Sequence, residues 1–133
     1  MIYLLCGVPG SGKTWVIDQL KGWLHIDHDS RGRFSLVDDA RQLASTTKRP
    51  IIVDCPFKER SLRADLEDAG LQVTPLFIVE DPSVIFERYV AREGKSPAQS
   101  VITRAETIMN KVREWNAFYG TSQEVLDFLR SKL

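Results

Sequence analysis

The stretch Gly7-Val8-Pro9-Gly10-Ser11-Gly12-Lys13-Thr14 is a complete G-x-x-x-x-G-K-T phosphate-binding motif, and it constrains the fold before any other feature is considered. Such a loop works only between a buried strand and a helix, because its glycines must turn with positive φ while backbone N–H groups point at an anion. The flanks supply that context. Ile2-Tyr3-Leu4-Leu5-Cys6 is a continuous apolar run that reads as a buried strand, and residues 13–23 carry apolar residues at helical spacing. Lys13 is placed to reach β- and γ-phosphates and Thr14 to offer its hydroxyl to Mg²⁺. The motif therefore predicts binding of a nucleoside triphosphate, with ATP and Mg²⁺ as the expected pair.

With 133 residues, the chain is expected to form one domain around a single sheet. Eighteen Lys and Arg balance eighteen Asp and Glu, which argues against a general nucleic-acid coat, since that needs a broad basic field. A few local arginines gripping one phosphate remain compatible with it. No run approaches the length of a membrane span, and the apolar start is too short for a secretion signal, so a cytoplasmic protein with no membrane partner is expected. Cys6 and Cys55 fall in strand-like runs without metal spacing and read as reduced core thiols.

Strand and helix signals alternate along the chain, which predicts a parallel sheet. Strands are expected at residues 2–6, 24–27, 51–54 and 73–79, the last starting at or near an edge because of Pro75. Helices are expected at 13–23, 36–44 (with Ser35 as cap), 59–69 (stopping at Gly70) and 82–93. Asp81 caps the last of these, Pro82 opens it and Gly94 ends it. A polar stretch at 93–97 reads as mobile. A long helix over 100–118 places Val101, Ala105, Ile108, Val112 and Trp115 on one core stripe. Thr121-Ser122-Gln123-Glu124 is a capping box that starts a final helix. The expected fold is α/β, a P-loop NTPase fold of nucleotide-kinase type with about four parallel strands in the order 2-3-1-4.

In such a sheet the ligand lies beyond the carboxyl ends of the strands, so the residues just after each strand are the candidates. After the second strand come Asp27, His28, Asp29, Arg31 and Arg33. A hydroxyl acceptor must lose its proton as it attacks phosphorus, and Asp29 is the candidate base. Asp27 competes for the role because strand alternation puts it on the same side. Arg31 and Arg33 are placed to contact an acceptor phosphate, or else form a solvated basic turn. His25 and His28 do not form a metal pair, because alternation sends them differently. Asp54 ends the third strand, where it would hold Mg²⁺ or orient an arginine. Arg88 and Arg92 are four apart on one helix face, beside the polar stretch; they are candidates to clamp the transferring phosphoryl group, and spacing equally allows surface salt bridges with Glu87 or Glu93.

These residues together resemble the kinase domain of bacteriophage polynucleotide 5′-hydroxyl kinase and related small phage and bacterial kinases of the zeta-toxin-like group. The resemblance spans about residues 1–98 and rests on the phosphate-binding motif, Ile26-Asp27-His28-Asp29-Ser30, Ile51-Ile52-Val53-Asp54 with Lys58-Glu59-Arg60, and Arg88-Tyr89-Val90-Ala91-Arg92. It implies that Asp29 is the general base, that Arg92 reaches the transferring phosphate from a lid, and that Lys13 and Thr14 serve ATP and Mg²⁺. Between the Asp29 turn and the third strand the chain is shorter than that family, which implies a more open cleft. The acceptor implied is nucleic acid, either a 5′-hydroxyl end or a hydroxymethyluracil base in phage DNA. Two alternatives stand beside it: a kinase of small molecules (nucleotide, nucleoside or sugar), and an ATP-gated binding module without catalysis. The apolar residues near Trp115 and Phe118 leave either a monomer or a homodimer open.

Overall fold

The structure, a computed structural model, describes residues 1–27, 33–55 and 59–132. Its centre is one sheet of five parallel strands, β1 (Ile2–Cys6), β2 (Leu24–Asp27), β3 (Ile51–Cys55), β4 (Val73–Ile78) and β5 (Phe118–Gly120), in the order β2-β3-β1-β4-β5. All five residues of β1 are buried, because helices cover both faces, as a parallel sheet requires. Alternation along that strand feeds two cores. Ile2, Leu4 and Cys6 join Val53 and Cys55 on one face, under α2 (Arg33–Thr46), α3 (Glu59–Asp68) and α5 (Gln99–Lys111). Tyr3 and Leu5 join Ile52, Leu76 and Ile78 on the other, under α1 (Lys13–Asp18) and α6 (Ser122–Arg130). Cys6 and Cys55 are direct partners across β1 and β3, both buried and not joined in a disulfide.

The expected α/β fold and the strand order around β1 hold, with one strand more than expected. Where a helix over residues 100–118 is predicted, α5 ends at Lys111, a 3-10 turn spans Val112–Glu114, and the chain extends at Trp115 (φ −96, ψ 123) to enter β5. The core stripe itself is right: Val101, Ala105, Ile108 and Val112 are buried. Helical spacing continues past the true helix end because Trp115 is also apolar, packing on Phe77 with ring centroids 5.0 Å apart. Phe118 then stacks on Phe128 of α6 at 4.2 Å. Aromatic residues on a pleated surface favour the strand that local periodicity missed. Because β5 pairs only from Leu76 onward, Pro75 lies where that side of β4 is an edge.

Two helix bounds also move. The first helix is shorter than residues 13–23, since Gly22 at φ +86 turns the chain into β2; Leu20 and Trp23 are buried from that turn rather than from the helix. The helix predicted at 36–44 begins at Arg33, so Ser35 lies within it and is not its cap. The ends of α4 (Pro82–Glu93) follow the sequence reading. The Asp81 carboxylate accepts from Ser83 N at 2.8 Å, and Gly94 closes the helix at φ +72. Hydrogen bonds from Ser83 hold the Asp81 carboxyl below its ordinary range. The cap therefore stabilises α4 above the ordinary carboxylate pKa, and its contribution is lost as pH falls through the lowered value.

The capping box on α6 is complete. Glu124 N donates to Thr121 Oγ1 at 3.2 Å, and Thr121 N donates to Glu124 Oε1 at 3.1 Å. Thr121→Ala is expected to destabilise the fold by about 1 kcal/mol, seen as a midpoint shift in urea unfolding with an unchanged slope. Among the described residues no helix is long and apolar enough to cross a membrane.

Candidate functional site

The phosphate-binding motif occupies the turn between β1 and α1, at the carboxyl end of the central strand. Gly10 and Gly12 take φ of +88 and +105, which side chains other than glycine rarely adopt. Space is as restrictive as torsion. A Cβ at Gly10 would lie 3.4 Å from the Ile85 carbonyl oxygen of α4, and one at Gly12 would lie 3.0 Å from Ser122 Cβ of α6. A Cβ at Gly7 would lie 2.6 Å from Ser11 Oγ. The loop is thus wedged between two helices, with Ser11 N donating to Val8 O at 3.1 Å. Ser11 is the buried polar residue of the loop, and its hydroxyl has no hydrogen-bond partner among the described residues.

The loop opens into a cleft of about 700 Å³, a size suited to a nucleotide-scale ligand. Val8, Pro9, Gly10, Gly12, Lys13 and Thr14 line its floor, and Asp54, Arg88 and Arg92 converge on it from other elements. The residues expected to act on phosphate therefore share one cavity.

Asp54 lies on β3 with its side chain 14% exposed, and His25 Nε2 of β2 approaches its Oδ1 to 2.7 Å, the geometry of a ring N–H donating to a carboxylate. Asp27 is the direct register partner of Asp54, so two carboxylates stand abreast where β2 and β3 end. Mg²⁺ takes hard oxygen donors and keeps part of its water shell beside phosphates. The Thr14 hydroxyl and the Asp54 carboxylate, in one cleft, fit that demand.

Arg88 donates to the Gly10 carbonyl oxygen at 3.3 Å and pairs with Glu80 at 3.4 Å. Arg92 pairs with Glu93 at 3.0 Å and lies over the Tyr89 ring at 5.5 Å. Both guanidinium groups reach the cleft while held by carboxylates. The stretch expected to be mobile is the short connection over residues 94–98 from α4 to α5, and Pro97 within it is buried. Arg88 and Arg92 thus project from a capped helix. Asp29 and Arg31 lie outside the described residues; Arg33 opens α2, and its side chain lies outside the description.

Sequence reasoning did not find Trp15, Ser122 or Gln123 at the cleft, nor Glu80 as the partner of Arg88. For Trp15 the signal was adjacency to the motif. Ser122 and Gln123 sit in a capping box that was recognised, but only β5 carries that box back beside Gly12. The His25–Asp54 contact joins residues on neighbouring strands whose register the sequence does not print.

No family model matches the chain, and no curated protein sequence matches it either. Solved structures do. The tunicamycin resistance protein of Deinococcus radiodurans superposes with a TM-score of 0.72 at 18% identity, covering 98% of this chain and 94% of that one. A sugar kinase from Janibacter gives 0.64 at 21% identity, covering 98% and 92%. A gluconokinase from Sinorhizobium meliloti gives 0.62 at 20% identity, covering 94% and 86%. The chain has the fold of these three structures. At such identities the likeness extends to the fold alone, and none of these structures is the phage polynucleotide kinase to which the sequence motifs pointed.

Proposed function

We propose that the chain is an ATP- and Mg²⁺-dependent kinase that moves the γ-phosphate onto a hydroxyl of a small molecule. The observation that carries this reading is the convergence of Lys13, Thr14, Asp54, Arg88 and Arg92 on one cleft over the glycine loop. The loop's N–H groups and Lys13 bind the β- and γ-phosphates. Thr14 and Asp54 would hold Mg²⁺, which supplies charge neutralisation on the phosphate oxygens when bound. The acceptor oxygen attacks the γ-phosphorus, the bond to the β–γ bridging oxygen breaks, and ADP departs with the electron pair. The acceptor's proton passes to Asp29, or to Asp27, the carboxylate beside Asp54. Arg88 and Arg92 spread the charge of the phosphoryl group in flight.

For the acceptor, the structural neighbours favour the small-molecule alternative over nucleic acid, since two of them are named a gluconokinase and a sugar kinase. Zero formal net charge supports the same choice, because a polynucleotide substrate rewards a basic surface. A nucleotide-gated sensor would have no use for a carboxylate base.

The test is a transfer screen with labelled γ-phosphate. It sets sugars, sugar acids, nucleosides and shikimate-like polyols beside 5′-hydroxyl oligonucleotides and hydroxymethyluracil-containing duplex. Transfer to a small hydroxyl compound is expected. Transfer confined to the nucleic acids would restore the polynucleotide reading, and nucleotide binding without transfer to any acceptor would favour the sensor. With the acceptor in hand, Arg92→Lys should lower kcat by roughly 10- to 100-fold, the worth of one charge-assisted hydrogen bond whose planar fork an ammonium cannot reproduce. Unchanged kcat in the folded variant would leave Arg92 as a surface partner of Glu93.

A further inference from the structure

The indole of Trp15 serves neither core. Trp23 is 7% exposed and packs on Tyr3, whereas Trp15 is 43% exposed, directly after the Thr14 hydroxyl. It faces the same cleft as the phosphate loop, together with Ser122 and Gln123 from the first turn of α6. That turn is pressed against the loop at Gly12, where an added Cβ would come within 3.0 Å of Ser122. An exposed indole is costly in apolar surface, and on a cleft wall it is a binding feature first.

The cleft is also asymmetric in charge. On the α4 side of the loop stands Arg88, donating to Gly10 O at 3.3 Å, with Arg92 four residues on, and Asp54 reaches in from β3. Beyond the loop, α1 contributes the Trp15 indole and the first turn of α6 a hydroxyl and an amide, none of them charged. A nucleoside triphosphate is asymmetric in the same sense, with its charge at one end and a flat neutral base at the other. Electrostatics places the γ-phosphate among the arginines and leaves the neutral flank to the base. Gln123 is held by its Nε2 donating to Asp127 Oδ1 at 3.0 Å.

We infer that Trp15 is the platform on which the base of the donor nucleotide stacks, with Ser122 and Gln123 forming the adjoining wall. The inference rests on the nucleotide reading above and adds to it the residue that recognises the base. Stacking on an aromatic face is tolerant of base identity, so the platform supplies affinity for a base rather than a choice among bases.

Calorimetric titration of the full chain with a non-hydrolysable ATP analogue and with inorganic triphosphate separates the two ideas. Wild type should bind both ligands, the analogue more tightly. Trp15→Ala should cut the analogue's affinity by roughly 5- to 100-fold, the range reported for one base-stacking contact, and leave inorganic triphosphate unchanged. Trp15→Phe should keep most of the base-dependent advantage. Tryptophan emission adds a second readout: the analogue should change it in wild type and not in Trp15→Phe, where only Trp23 and Trp115 remain. If wild type binds neither ligand, the nucleotide reading fails. If it binds both and Trp15→Ala retains the analogue's full advantage, the platform alone is overturned. Equal losses for both ligands in Trp15→Ala would make the indole a support of the loop and overturn it too.

Discussion

Lys13→Ala is expected to abolish phosphoryl transfer, with kcat/KM falling by about 10³-fold or more. Removing one neutral hydrogen-bond donor from a preorganised site costs about 10²–10³ in rate. The lysine contributes a full positive charge, within a cleft walled by protein where that charge is less screened than in water. It begins α1 directly after Gly12, whose φ of +105 sets the direction in which the chain leaves the loop. The variant should fold, because Lys13 belongs to neither core cluster. Circular dichroism and a urea midpoint close to wild type would establish that. Transfer at the wild-type rate in this folded variant would remove the phosphate loop from the chemistry altogether.

The second large effect is expected at Asp29. Asp29→Asn keeps size and polarity but cannot take the acceptor's proton, so transfer should fall by roughly 10²–10⁴-fold, the usual worth of general-base assistance. Nucleotide affinity should stay near that of wild type. A loss of affinity would instead mark Asp29 as a phosphate-side or Mg²⁺-side group. Asp27→Asn is the necessary comparison, because Asp27 ends β2 directly beside Asp54. If Asp27→Asn loses transfer and Asp29→Asn keeps it, the base is the strand residue and the turn after β2 serves the acceptor only.

What the sequence made legible, it did through short-range chemistry. The eight-residue motif, the buried run of β1, the Asp81-Pro82 opening of α4 and the Thr121–Glu124 box each state their geometry within a few residues, and each is found as read. What escaped depends on partners far along the chain. β5 is three residues long and exists as a strand because Leu76, Phe77 and Ile78 are there to pair with it. The stacking of Phe118 on Phe128 likewise involves α6, and no window over residues 112–120 contains either fact. The same limit applied to the site. His25 became the partner of Asp54 only through the register of β2 with β3, and Trp15 acquired a wall only when α6 arrived beside Gly12. The acceptor was the least legible part. The residues that carry the resemblance to a polynucleotide kinase concern the phosphate side of the cleft, and they leave the acceptor open.

That Gly12 rests on Ser122 also sets a timetable for the protein's birth on the ribosome. The phosphate-binding motif is synthesised more than a hundred residues before Ser122 and Gln123 of α6, which line its cleft. Joining positions so distant in sequence carries a loop-closure cost and slows folding. A nascent chain stalled after α5 would therefore contain the whole motif and still lack a completed cleft, and nucleotide titration of such stalled complexes should find binding only once α6 has cleared the exit tunnel. Tight binding before that point would mean the phosphate loop and Lys13 suffice alone.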